Sequence, residues 1–212
     1  MTTSAKFWDN ISEKYAKAPV RQPLAYEQTL DRVRTYLEPQ HEVLELGCGT
    51  GSTALTLSEN VQRITATDLA EGMISIATQK AAKQGIENVE FRQCSALGEG
   101  IGEARFDVVM AFNLFHLLPN LEHCLAASHK LLKPGGLFIS KTPCLSEGNP
   151  LFRVLVPAMR LIGKAPYVRF LGVFELEGLV KNAGFKILET GNYPVKPPSR
   201  LIVAQKLSEP ST

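Results

Sequence analysis

From Glu42 onward the chain alternates between short β-rich apolar runs and segments of helix length. EVLEL (42–46), RITATD (63–68), VEFRQC (89–94), FDVVMAF (106–112) and GLFISK (136–141) read as strands, each brief and rich in β-branched or aromatic residues. Helical stretches near 51–59, 71–84 and 121–132 separate them, the last stopping at Lys133 before the breaker Pro134-Gly135-Gly136. Upstream, Tyr26 to Leu37 reads as a helix ended by Pro39. Strand–helix alternation implies a parallel sheet covered by helices on both faces. Ligands of such sheets sit at the carboxyl ends of the strands, beside the topological switch point. Gly47, Asp68, Cys94 to Ala96 and Ala111 to Asn113 therefore fall along one rim.

The pattern changes after Thr142. Residues 145–172 are rich in Leu, Phe, Val and Met and are punctuated by Pro150, Pro157 and Pro166. VFELEGLVKNAGF then reads as a helix stopped at Gly184, and FKILETGNY and SRLIVAQKL as an antiparallel hairpin across PVKPP, with SEPST a frayed tail.

Composition bounds the function. At 212 residues, 44% of them apolar and 21% charged, the chain suits one sizeable soluble α/β domain. A net charge of +2 leaves no footprint for general nucleic-acid or membrane binding. No run approaches the roughly 20 apolar residues of a membrane span, and MTTSAKFWDN lacks a signal pattern. Cys48, Cys94, Cys124 and Cys144 are scattered without CxxC spacing, which suggests neither a metal site nor a disulfide framework and fits the cytoplasm.

The chemistry concentrates in LELGCGTGS, where glycines stand at 47, 49 and 51. Gly47 suits a tight turn with φ > 0, Gly49 leaves room for a ligand against the backbone, and Gly51 opens a helix whose amides can donate. Asp68 ends the next strand, seventeen residues after Gly51. Its carboxylate can accept from both ribose hydroxyls of an adenosine, or cap the helix that begins near Ala70. NAD and S-adenosylmethionine (SAM) both use this combination.

EVLELGCGTGSTAL, ITATDLAEGMISIA, FDVVMAFNLFHLLPN and LLKPGGLFISKTP, from about Glu42 to Pro143, resemble the successive motifs of class I SAM-dependent methyltransferases, and AGFKILE…SRLIVAQK is similar to that family's closing hairpin. The resemblance implies a Rossmann-like, doubly wound α/β sheet of seven strands. It would be mostly parallel, with an antiparallel C-terminal hairpin strand and helices on both faces. It implies SAM as cofactor and S-adenosylhomocysteine as product. Gly47, Cys48, Gly49 and Gly51 would line the methionine and ribose part, Glu45 would orient the amino group, and Asp68 would bind the ribose. Leu69 and Met73 would pack on the adenine, and Ala111 would offer its carbonyl to the methionine end. Many relatives carry an acid at the end of the third strand; here Cys94-Ser95-Ala96 stands there, leaving Ser95 or a backbone group near Ala96 to take the adenine amino group.

FWDNISEKYA resembles the leading segment of small-molecule methyltransferases, especially those of ubiquinone and menaquinone synthesis, in which an aromatic closes over SAM; Tyr15 is the candidate, or else a surface helix aromatic. No NPPY or DPPY motif follows the fourth strand and no nucleic-acid module is visible, so a small, apolar or quinone-like acceptor is expected, on a monomer or homodimer. His116 stands where a base would be useful, or is a packing histidine; His41, His123 and His129 read as loop or helix-surface residues. Residues 1–40 would form a helical cap and 145–172 an inserted helical lid. In the lid, Arg153, Arg160 and Lys164 share a stripe of the helical wheel, facing water or an acidic group. An NAD-dependent oxidoreductase and a SAM-binding protein without catalysis are the competing classes.

Overall fold

The computed structural model describes residues 3–207. Two helices lead the chain, α1 (Thr3–Lys17) and α2 (Pro23–Arg34). The α/β body follows as β1 (Glu42–Leu46), α3 (Ser52–Leu57), β2 (Arg63–Asp68), α4 (Glu71–Gln84), β3 (Val89–Gln93), β4 (Phe106–Phe112), α5 (Leu121–Leu131) and β5 (Leu132–Pro143). The insert carries α6 (Phe152–Leu161), and α7 (Val173–Asn182), β6 (Phe185–Asn192) and β7 (Ser199–Lys206) complete the chain. The strands form one sheet in the order β3-β2-β1-β4-β5-β7-β6, parallel except that β7 runs antiparallel to β5 and β6. The order reverses between β1 and β4, so the switch point lies where Gly47 and Ala111–Asn113 leave the sheet.

Alternation along the strands sends side chains to two cores. Val43, Val108, Met110, Ile139 and Leu201 face a cluster shared with α2 and α3. Leu44, Val109, Phe138 and Ile202 face the opposite one, shared with α5 and α7, where Phe138 stacks between Phe115 and Phe185. α1 lies outside this frame and packs along α4. Asp9 Oδ1 accepts the Gly72 N–H at 2.8 Å, and a Cβ on Gly72 would meet Ser12 Oγ at 2.8 Å, so only glycine lets the two helices come this close.

Several expected boundaries move. The helix expected at 26–37 is α2, which begins at Pro23, a residue whose fixed φ favours the first helical position. The helix expected at 51–59 ends at Leu57 and continues only as the 3-10 turn Ser58–Asn60. The break expected at Pro134-Gly135-Gly136 is a bulge inside β5. Phe106 pairs with Leu132 and Val108 with Leu137, and the intervening residues are taken up by a turn at Gly135 (φ 76°). His129 is not a bare surface group, because its ring lies edge-on to Phe185 at 5.2 Å. The tail expected at 208–212 lies outside the described residues.

The insert leaves its helix uncovered. α6 buries none of its side chains. Arg153 and Arg160 stay exposed, as the helical stripe predicted, and their guanidinium groups lie 5.9 Å and 5.1 Å from the ring centres of Phe170 and Tyr167. Leu151, Val154, Leu161 and Ile162 are exposed as well. The return segment is firmly tied. Arg169 pairs with Glu122 of α5 and Glu175 of α7, and the Val173 N–H donates to Glu147 Oε1 at 2.8 Å.

Candidate functional site

The loop from Gly47 to Gly51 joins β1 to α3, and its three glycines all have positive φ, at 68°, 54° and 76°. They are required for different reasons. A Cβ on Gly47 would strike Leu114 at 2.7 Å, and one on Gly51 would strike Phe91 and Ala77 at 2.7 and 2.8 Å, so these two serve the protein's own packing. At Gly49 the nearest atom to such a Cβ is Tyr15 Cε1 at 3.8 Å, which leaves open space over the backbone. Tyr15, half exposed at the end of α1, overhangs that space. Lys80 steadies the loop from α4 through bonds to Thr50 O and Oγ1.

Asp68 fastens the loop from the side. Its Oδ2 accepts the Gly49 N–H at 2.9 Å and its Oδ1 the Ala70 N–H at 3.0 Å. Burial nevertheless raises its pKa, with the backbone N–H groups pulling the other way. The carboxylate keeps acceptor capacity beyond these two bonds. Glu45 lies beneath, 2% exposed, with Oε2 enclosed and without a partner. Burial pushes its carboxyl up to about 8, opposed by the Ala54 backbone and reinforced by Asp68. A buried, unsatisfied acid beside a bare glycine backbone fits a cationic ligand group. Cys48 is buried among the same charges, its thiol held well above its ordinary pKa by desolvation, then Glu45 and Asp68, so it is inert lining.

The other expected residues gather more loosely. Leu69 accepts from Gln93 through its carbonyl, and Met73 is buried at the start of α4. Ser95 donates to Glu99 Oε2 at 2.9 Å and accepts the Leu97 N–H, while Ala96 accepts from the Cys124 thiol. Glu99 thus brings a carboxylate to the end of β3, where the sequence motif had none. Ala111 is paired on both sides, with Leu46 of β1 and Ser140 of β5. His116 lies in the 3-10 turn Phe115–Leu117 beyond β4, with Nδ1 enclosed and unpartnered, and burial lowers its pKa to about 4. The imidazole is therefore neutral and a weak base. Its main-chain carbonyl accepts the Arg169 N–H at 2.7 Å, which ties the insert to the rim.

Sequence patterning did not reveal Asp9, which seats α1 on Gly72, or Glu99, whose relevance depends on the turn after β3. It also passed over Lys141, since a lysine inside a strand ordinarily reads as a solvated position.

Residues 43–136 match a family described as a methyltransferase domain. The chain is 30% identical over 159 residues to the uncharacterized methyltransferase YcgJ of Bacillus subtilis, an alignment covering 74% of this chain and 62% of that one. It is also 30% identical over 152 residues to a ubiquinone biosynthesis O-methyltransferase of Nitrosococcus oceani, covering 68% of this chain and 63% of the relative. The chain thus spans a little under two thirds of the length of these curated relatives. The crystal structure of Bacillus subtilis YcgJ superposes with a TM-score of 0.71 over 86% of this chain and all of that one, at 18% identity, which speaks to the fold alone.

Proposed function

Because this chain belongs to the class I SAM-dependent methyltransferase family, we propose that it moves the methyl group of SAM to a small, apolar or quinone-like acceptor. The observation that carries this reading is the constellation at the rim. Gly49 offers an open backbone under Tyr15, Asp68 holds that loop with lone pairs to spare, and Glu45 presents a buried carboxylate oxygen with no partner. A sulfonium amino acid joined to an adenosine has a cationic amine for Glu45, two ribose hydroxyls for Asp68 and a flat base for Leu69 and Met73. Gly47, Cys48 and Gly51 would shape the loop around it, and Ala111 would meet its methionine end. Ser95 and Ala96 would border the adenine, with Glu99 supplying the carboxylate for its amino group.

When bound, the cofactor supplies an already activated methyl, displaced in line from sulfur. The protein's share is alignment and exclusion of water. Tyr15 would close the loop side, His116 would act as a neutral hydrogen-bonding partner of the acceptor, and 145–172 would cover it as a lid. The acceptor class follows the Nitrosococcus relative's name and the apolar insert. Among the described residues no helix is long and apolar enough to cross a membrane, and a cytoplasmic location belongs to the same proposal.

Calorimetric titration with SAM, S-adenosylhomocysteine and NAD tests the reading. Binding of the first two and not of NAD is expected; NAD binding alone would make the chain an oxidoreductase. Labelled SAM offered with a panel of quinols and phenols then separates an enzyme from a mere binder: label must reach an acceptor.

A further inference from the structure

The sheet carries a second buried ionisable group at the rim, and the cofactor roles leave it unused. Lys141 is 8% exposed, the only buried lysine or arginine among the described residues. Lysine is almost never this buried unless paired. Other partly covered lysines are engaged, Lys80 with Thr50, Lys133 with Asp107 and Lys206 with the Leu132 carbonyl. The Lys141 ammonium makes no hydrogen bond or ion pair in the structure.

Strand register locates it. Glu45, Met110, Ile139 and Val203 form one row across the sheet. Two residues further along the parallel strands, and hence on the same face, Phe112, Lys141, Leu201 and Gly191 form the next row, at the rim. Lys141 is thus one strand, about 5 Å, from the end of β4 at the switch point. Its carbonyl accepts the Asn113 N–H at 2.8 Å and so holds the first residue beyond that strand.

The surroundings suit a flat, weakly acidic molecule. Phe112, Tyr26 and Tyr193 pack against this face, and the Tyr193 ring lies over Gly191 at the end of the row. Ser199 of β7, which pairs with Pro143 two residues past Lys141, also faces this side and keeps a buried Oγ without a partner. Diagonal neighbours of this kind on one sheet face lie within reach of a long side chain. The charged and titratable groups sharing the face are Glu45, Asp68, Tyr26, Tyr193 and Glu189, the last tied to Arg32 and Tyr36. None bonds to Lys141. Burial alone lowers its ammonium to about 8, so the neutral amine is within reach near physiological pH.

We propose that Lys141 is the acceptor-side base of this site, taking the proton of an acidic hydroxyl, a phenol or enol, that Ser199 helps to position. This rests on the methyltransferase reading above and names the acceptor class within it. The O–H bond breaks with its electron pair left on oxygen, and the amine lone pair forms the new N–H bond. An ammonium–oxyanion pair replaces two neutral groups, with no further reactant.

The test uses the full chain, p-nitrophenol as probe and p-nitroanisole, its methyl ether, as neutral control. Calorimetry with S-adenosylhomocysteine comes first: wild type and Lys141→Met should bind it equally. If neither binds, the cofactor reading fails by itself, and the probe measurements, repeated without it, still judge Lys141. Below the pKa of free p-nitrophenol, binding to wild type should bring up the phenolate absorption band. Lys141→Met should lose that band and bind the probe about tenfold or more weakly, with p-nitroanisole unaffected. Lys141→Arg, a fixed cation that cannot take the proton, should keep the band only by pairing with phenolate whose proton has gone to solvent, which separates the charge from the packing of a lysine stem. A second readout needs no variant. After 13C reductive methylation of the wild-type lysines, the Lys141 resonance should titrate at higher pH with probe bound. Absence of the band in wild type, its persistence in folded Lys141→Met, equal losses for probe and ether, or a Lys141 titration indifferent to the probe would each overturn the assignment.

Discussion

In the loop from Gly47 to Gly51 nearly every group is held from outside. Leu114 fills the space at Gly47, Phe91 and Ala77 that at Gly51, Asp68 takes the Gly49 N–H, and Lys80 binds Thr50. Along α6 the reverse holds. No side chain is buried, Leu161 is 89% exposed, and the two arginines, themselves exposed, rest beside the Phe170 and Tyr167 rings. A segment fixed by its surroundings can present a backbone to a ligand without reorganising, which is what a cofactor loop needs. A segment with few buried contacts belongs to the less stable parts of a fold, from which moving covers are drawn. The rim therefore has a preorganised half and an adaptable half.

The largest effect should come from confusing the two uses of glycine within the loop. Gly51→Val adds a branched side chain at φ 76°, with Phe91 2.7 Å from its Cβ, and should lower stability by about 2–6 kcal/mol in denaturant melts. Gly49→Val has open space instead; it should stay folded yet bind no SAM by calorimetry. If the two variants melt alike, the division of labour drawn from the structure is wrong.

Glu45 sharpens the same half. Its carboxyl is raised from 4.5 to about 8, so between those values the folded chain holds a proton that the unfolded chain has lost. Its contribution to stability is thus full below the lower value and falls away as pH rises through the upper one, with a ceiling of about 5 kcal/mol. Glu45→Gln should flatten that decline in cofactor-free melts between pH 5 and pH 9, and weaken SAM. An unchanged pH profile would show that the acid is solvated.

Asp68→Ala should weaken SAM by about 2–3 kcal/mol, the loss of a charged acceptor of two hydrogen bonds. The fold should persist, but with a measurable penalty, because the same carboxylate holds Gly49 and Ala70. Wild-type affinity in the folded variant, read by calorimetry, would remove the ribose role.

How much of this was legible follows the same division. The loop, Asp68 and the strands show in sequence because glycine, a terminal acid and β-rich runs are local signals. The seat of α1 on Gly72 and the Ser95–Glu99 bond needed the fold, since FWDNISEKYA does not announce what Asp9 bonds and Glu99 belongs to no motif. Lys141 was hidden for another reason. Its burial comes from Phe112 and Leu201 on neighbouring strands, far away in sequence, and no spacing in SKTP announces them. The helical wheel placed the arginines of α6 on an exposed stripe, and they are exposed, but it could not show that the Phe170 and Tyr167 rings come back beside them.

The smallest expected effect on stability, and the most informative about the adaptable half, is the double change Phe152→Ser and Leu155→Ser. Both side chains are 44% exposed on a helix with no buried residue. Their loss opens no cavity, so the penalty should stay within about 1 kcal/mol for the pair. Affinity for SAM should also hold, because neither residue is among the groups that hold the loop. If 145–172 covers the acceptor, turnover of whichever labelled acceptor emerges from the panel should nevertheless fall, through a weaker acceptor complex and freer access of water. Melting temperature, SAM affinity and turnover must therefore be measured on the same preparation. Unchanged turnover with unchanged melting would leave α6 no part in the reaction. A drop of several kcal/mol in stability would mean that these apolar side chains are covered in solution, and α6 would then be a packing element and not a lid.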